Sequence, residues 1–274
     1  MTCSIGRMRI RLAILAAALL AAAPAAGPAA AAPHAGARMT LNVWLERAPG
    51  KLWLTKRTVP RTPGVAAAAL QLLFAGPNAA ERAAGVTTAI PVGTRLRGVS
   101  ISAGTATVDV SRAFAAVAPA TRIRMRLAEL TYTATQFATV KRVRLEVAGA
   151  VVHSIAGAPV PQPAARANFL RRLPAILVSR PAIGARVPAT VTVAGSADVF
   201  EAALTVRVIN ERGRLLARRH ILATCGTGCR GRYAVSIPYS VLRRQPGTIV
   251  IFDSGGGSVA HPHVVRVPVK LSVP

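Results

Sequence analysis

The chain has 274 residues, 52% of them hydrophobic, and a formal net charge of +26 at pH 7 from 35 Lys and Arg against 9 Asp and Glu. Alanine inflates the hydrophobic share, and no apolar run beyond the N terminus approaches the roughly 20 residues of a spanning helix, which excludes a helical membrane protein. The positive balance favours anionic neighbours, but the basic residues are spread along the chain and not clustered with aromatics, which argues against nucleic-acid binding and for a solvated basic surface.

The first segment reads as a secretory signal over residues 1–37. Arg7, Arg9 and Arg11 form a basic start, residues 12–23 an apolar run, and residues 24–37 a small-residue tract with several A-x-A sites. Ala26, Ala32 and Ala37 are all candidate last residues of that leader. The apolar run is too short for a spanning anchor. A lipoprotein needs a Cys just after the run, and Cys3 precedes it. The expectation is an exported protein of the extracytoplasmic cell envelope, with no membrane span after cleavage. It carries +23 once the three leader arginines are set aside.

Two strand-like runs follow, residues 41–45 and 52–54, separated by Pro49-Gly50. They hold Trp44 and Trp53, the only tryptophans. Large aromatics in short strands read as core, with a ligand platform as the alternative. A helix is expected over 62–75, with Thr62 as its cap, Pro63 in its first turn and Gly76-Pro77 as its stop. A long loop then leads through the two turns of residues 88–94 to a hairpin. Its strands are 96–102 and 105–110, joined at Ala103-Gly104, and Val99, Ile101, Ala106, Val108 and Val110 alternate as in a half-buried sheet. Residues 121–139 read as a second helix with Ile123, Leu127, Leu130, Ala134 and Phe137 as its apolar stripe. Arg122, Arg124, Arg126 and Glu129 are expected mainly on the solvated face. Val143, Leu145 and Val147 give the closing strand one buried face. The β-β-α-β-β-α-β order implies an α+β domain, helices packed on one mixed sheet.

The run LLFAGP (72–77), then TAIPVGTRLRGVSI (88–101) and GTATVDVS (104–111), resembles the GerMN domain of sporulation and spore-germination proteins. LAELTYTATQF (127–137) and VKRVRLEVAG (140–149) match its second half, and the resemblance covers residues 39–152. Residues 153–174 hold Pro159, Pro161, Pro163 and Pro174 in an alanine-rich run and read as a semi-rigid linker. Phe169-Leu170 is the one pair in it suited to docking on a domain.

Residues 175–274 show short alternating strands with turn signals, an all-β immunoglobulin-like sandwich. The expected strands are 175–179, 190–194, 203–211, 215–223, 231–237, 248–253 and 264–272. Pro268 removes a ladder donor, which puts the last strand at an edge. The run 179–210, with GRYAVSIPY (231–239) and PGTIVIFDS (246–254), resembles the immunoglobulin-like domain of bacterial spore-germination proteins. The chain departs from that pattern at Gly255-Gly256-Gly257.

Cys225 and Cys229 are the clearest chemical pair. In an exported chain two close cysteines read as a structural disulfide, with Gly226 and Gly228 giving the small ring its freedom. A redox pair usually has two intervening residues, and a metal site needs further ligands. His261-Pro-His263 is a fragment of a metal motif without a third ligand and reads as solvent-facing. Asp109 and Glu201 read as structural, bonding turn amides. No catalytic residue, cofactor site or metal site is expected, and the nine acids assemble no carboxylate pair of the kind a wall glycosidase uses. The families' resemblance implies a secreted, non-catalytic cell-envelope binding or scaffold protein of sporulation or germination. Its partner would be an envelope protein or an anionic cell-wall polymer. Alternatives are a carbohydrate-binding module and, less favoured, an enzyme acting on peptidoglycan.

Overall fold

The structure is a computed structural model that describes residues 1–2, 36–254 and 263–273. Most of the expected leader, the Gly255-Gly256-Gly257 run and His261 lie outside the described residues. From Ala37 to Pro274 the chain forms one compact unit, mostly β with a few helices.

The N-terminal half holds β1 (Arg38–Arg47), β2 (Leu52–Pro60), α1 (Val65–Phe74), α2 (Ala79–Ala83), β3 (Val86–Thr87), β4 (Leu96–Ser102), β5 (Thr105–Val110), α3 (Ala120–Ala134), β6 (Arg142–Val147) and β7 (Ala150–Val151). The strands form two sheets where one was expected, in the orders β2-β1-β3 and β4-β5-β6-β7. Only β5 and β6 run parallel, because α3 is the crossover between them and a parallel pair needs one. The hairpin β4–β5 has its expected bounds. Ala103 (φ 46) and Gly104 (φ 75) supply the two left-handed residues of a type I′ turn. Trp44 and Trp53 are core, Trp44 tilted against Tyr132 with ring centroids 4.9 Å apart.

Helix α1 begins later than its expected cap. Thr62 Oγ1 accepts from the Gly64 N–H at 3.3 Å and reaches no first-turn amide, and Gly64 is the N-cap without a side-chain bond. The expected long loop contains α2, which Asn78 and Glu81 start with a reciprocal capping box, both bonds 2.9 Å. Arg57 closes a fork on the buried Glu81 at 2.5 and 2.6 Å.

Helix α3 corrects the expectation of a solvated charged face. Arg122 and Arg124 are exposed, but Arg126 is 2% exposed and Glu129 is fully buried. Helix α3 packs on α1 and β1 along one side, and the 88–90 and 114–116 segments cover another, so a single apolar stripe does not describe it. Arg126 donates to the carbonyls of Ala89 (3.2 Å), Ala116 (3.0 Å) and Phe114. Glu129 accepts from the Thr88 hydroxyl at 2.6 Å and the Ala89 N–H at 2.9 Å. The helix stops at Ala134, where Gln136 turns its amide to both backbone groups of Asn42 at 2.8 Å.

Residues 153–174, expected as a spacer, are folded onto the N-terminal half. They form a small hairpin, β8 (Ser154–Ile155) with β9 (Ala158–Pro159), a bridge from Ala164 to Val143, and a 3-10 turn over Arg166–Arg172. Phe169 is buried as a docking residue, while Leu170 is exposed. Arg166 lies 4.8 Å from the Tyr132 ring centroid and bonds Thr135 Oγ1 at 2.8 Å.

The C-terminal half contains β10 (Ile176–Arg180), β11 (Arg186–Val187), β12 (Thr190–Ala197), β13 (Ala203–Asn210), β14 (Leu215–Leu222), β15 (Gly231–Pro238), β16 (Gln245–Asp253) and β17 (Val264–Leu271). Every strand expected here is present. They pair as β10-β12-β15 and β11-β17-β16-β13-β14, the two layers of an immunoglobulin-like sandwich. Leu204, Val206, Val208, Ile249, Ile251, Val267 and Val269 line the inner face. The Pro268 carbonyl accepts from the Gly184 N–H at 2.8 Å. A residue's two backbone groups point the same way in a strand, so its missing N–H also faces away from β16. Strand β17 is therefore not the edge strand expected: the two-residue β11 lies outside it, paired at Lys270 and Leu271, and Pro268 is tolerated because its missing N–H falls beside that short strand.

Burial pushes the Glu129 carboxyl up to about 8, against the hydrogen bonds from Thr88 and Ala89. The unfolded chain releases this proton near pH 4.3, so the folded state binds more protons between those values. Stability from this group is complete at low pH and declines as pH rises to about 8. Urea midpoints at pH 5 and pH 8 should therefore differ in the wild type, the higher pH being less stable. In Glu129→Gln the difference should shrink. An unchanged difference would remove Glu129 as its source.

Candidate functional site

The last residue of β1, the β1–β2 turn and the approach to β3 meet the starts of β10 and β17. Between them lies an open cleft of about 590 Å³, with Arg47, Lys51 and Trp53 from the N-terminal half and Ile176, His263 and Arg266 from the C-terminal half. Strand β1 ends in the turn that carries Ala48 (φ 62) and Gly50 (φ 71). That bend turns Glu46 back onto the Gly50 N–H (2.8 Å) and Arg122 (3.3 Å).

Arg47 is the side chain that organises the cleft. Its Nε donates to the Ala84 carbonyl at 3.0 Å and its Nη2 to the Arg266 carbonyl at 2.7 Å, and its guanidinium stacks 4.4 Å from the Trp53 ring centroid. All three partners are neutral. Burial lowers its pKa from the ordinary value, though a guanidinium stays charged. Lys51 Nζ is likewise held by a carbonyl, that of Arg171, at 3.0 Å. Among the described residues no Asp or Glu lines the cleft. Its chemistry is that of an anion receptor with fixed N–H donors and one apolar wall.

The cysteines pair at a separate place. Cys225 and Cys229 form a disulfide with Cα atoms 5.8 Å apart. Asp198 Oδ1 accepts from the Gly228 N–H at 3.0 Å. Gly226 lies so close to the turn before β13 that a Cβ there would meet the Ala202 nitrogen at 2.3 Å, so this ring needs glycine for space. Arg230, next after the ring, donates to the Pro174 carbonyl at 2.7 Å. The ring is thus tied to the point where the C-terminal half begins.

The remaining expected residues divide. Asp109 does bond a turn amide, accepting from Gly149 at 2.9 Å, and it also accepts from Arg97 at 3.0 Å. Glu201 holds φ 54, and it is its backbone N–H that bonds, to Thr227 Oγ1 at 3.1 Å. His263 Nδ1 lies 3.1 Å from the buried Asp253 Oδ2. Among the described residues no three His, Cys, Asp or Glu side chains converge as metal ligands, and no helix is long and apolar enough to cross a membrane. Sequence reasoning missed Arg47 and Lys51. Their carbonyl partners lie up to 219 positions away, so no local pattern marks them.

Residues 46–153 match the Germane family model, described as sporulation and spore germination. Residues 175–258 match Gmad2, the immunoglobulin-like domain of bacterial spore germination. No protein of curated function matches the chain. Among solved structures it is similar to the tandem GerMN domains of the sporulation protein GerM from Bacillus subtilis. There the identity is 14% and the TM-score 0.43, over 86% of this chain and 61% of that one. The first GerMN domain of the same protein gives 20% identity and a TM-score of 0.38, over 47% of this chain and 98% of that one. The chain thus spans about three-fifths of the tandem structure's length.

Two measurements follow from this geometry. Replacing both Cys225 and Cys229 by Ser should lower the unfolding free energy by about 2 kcal/mol, the chain-entropy value for so short a ring, as read from denaturant midpoints. Arg47→Gln removes one charged donor shared by Ala84 and Arg266 and should cost about 2 kcal/mol. Hydrogen exchange should quicken at the β1–β2 turn and the start of β17 and stay unchanged on β12 and β15.

Proposed function

From the premise that the chain joins a Germane domain to the immunoglobulin-like Gmad2 domain of bacterial spore germination, we propose that it is an exported, non-catalytic scaffold of the cell envelope. Its partner is an anionic cell-wall polymer or an envelope protein. One observation carries the reading: the cleft between the two domains is walled by Arg47 and Lys51, cations held on neutral carbonyls with no carboxylate in the lining. Catalysis at a wall glycan is disfavoured by where the acids stand. Glu46, Glu81, Asp109 and Glu211 each pair with an arginine, and Glu129 is sealed in the core. A role in sporulation or germination is the one both families suggest.

Protein beginning at Ala37 should sediment with purified cell walls at low salt, and salt should release it over the range that screens surface charge. Protein that stays in the supernatant at every salt concentration overturns the reading. A zymogram on the same walls should show no clearing.

A further inference from the structure

The outer face of the five-stranded sheet carries a line of arginines that runs toward the cleft. Register sets Arg218 opposite Arg207, Arg207 opposite Val250, and Val250 opposite Arg266. Opposed residues on neighbouring strands share a face, and strands lie about 4.8 Å apart. The three arginines therefore stand in one cross-strand row with an apolar step at Val250, spanning about 14 Å. The inner face is core, so the row looks outward. Two contacts confirm that face. Arg207 stacks on Phe252, one row along, at 4.7 Å, and Thr205 Oγ1 lies 2.9 Å from His220 Nδ1.

The row ends at the cleft, because Arg266 lines it and its carbonyl receives Arg47. Lys270 and Arg186, paired with each other on β17 and β11, add charge beside it. Asp253 is the only acid in the five strands, and it is buried and bonded to His263. Like charges in line with no counter-charge repel one another, and an anionic chain laid across them relieves that repulsion. The exposed Arg218 and Arg266 stand at the two ends of a row about 14 Å long, a spacing that suits a polymer better than a compact acid. Phe252 is already covered by Arg207, which leaves no free ring for stacking a nucleobase. Val250 is buried between the arginines, so the apolar centre of a protein interface is missing. Guanidinium groups match phosphate oxygens in pairs.

We infer that the row Arg218–Arg207–Arg266, continued by Arg47 and Lys51, is the binding track for a phosphodiester-linked anionic glycopolymer of the cell wall. This rests on the envelope-binding reading and names the ligand for it. The test uses protein spanning Ala37–Pro274 and purified poly(glycerol phosphate) as the probe, with dextran, polyglutamate and a DNA oligonucleotide beside it. Arg218→Gln with Arg266→Gln should weaken probe binding at least ten-fold while Arg207 keeps its place on Phe252. Adding Arg207→Gln should weaken it further. A control with Arg95, Arg112 and Arg144 changed to Gln, exposed on the other domain, should stay within two-fold of wild type. Equal weakening by track and control variants overturns the inference, as does an unchanged double variant. Polyglutamate or DNA binding as tightly as the probe overturns the ligand class. Wild-type protein that sediments with walls while the double variant sediments equally well removes the track alone. Wild-type protein that fails to sediment removes the envelope reading itself.

Discussion

The N-terminal domain depends on a buried cation and a buried carboxyl that α3 carries into its interior. Arg126 and Glu129 are three residues apart, so they lie on one side of the helix; Arg126 is met by main-chain carbonyls and Glu129 by the Thr88 hydroxyl and the Ala89 N–H. Ala89 bonds both, giving its carbonyl to Arg126 and its N–H to Glu129. One residue of the 88–94 loop thus satisfies a buried cation and a buried acid together, while Thr88 completes the acid and Phe114 and Ala116 the cation. A buried polar group without partners is expensive, so the loop, the helix and the segment after β5 fix one another's positions. The 88–94 run is a loop whose main chain supplies the second half of a polar core.

Much of the architecture was legible in the chain because it rests on local signals. The β4–β5 hairpin declares itself by alternation and by Ala103-Gly104, and the sandwich strands by alternation between turns. What escaped was non-local. The solvated face expected for α3 assumed one neighbour, whereas sheet and loop cover it from two directions. The 153–174 run looked like a spacer because proline cannot propagate a ladder. Yet Phe169 and Arg166 find partners on α3 that only the folded domain supplies. The capping box at Asn78 and Glu81 was readable in principle, since the N-x-x-E spacing follows a proline directly. The cleft was not readable at all. Arg47 acquires its meaning from carbonyls at Ala84 and Arg266, and arginines are too common in this chain for one to stand out.

The charge excess has a structural counterpart in how the scarce acids are used. Four are committed to arginines and Glu129 is buried on Thr88 and Ala89, so most of the chain's basic residues have no acid beside them. Several other arginines are fixed by carbonyls and aromatic rings instead. Arg47 on Trp53, Arg166 on Tyr132 and Arg207 on Phe252 are three instances of one solution. A guanidinium held this way is oriented without being neutralised.

The two borders of the five-stranded sheet are finished differently. At one, the two-residue β11 closes the sheet outside β17, where Pro268 withholds a donor. At β14 the main chain stays open along Leu215–Leu222, with Leu215 and Leu222 exposed at its ends. A bare border of this kind invites a second copy to add its own strand. Arg218 and Arg219 stand at its middle, and in an antiparallel match they would face the same pair on the incoming chain. Like charge set against like charge at that point opposes the fusion of two copies into a continuous sheet.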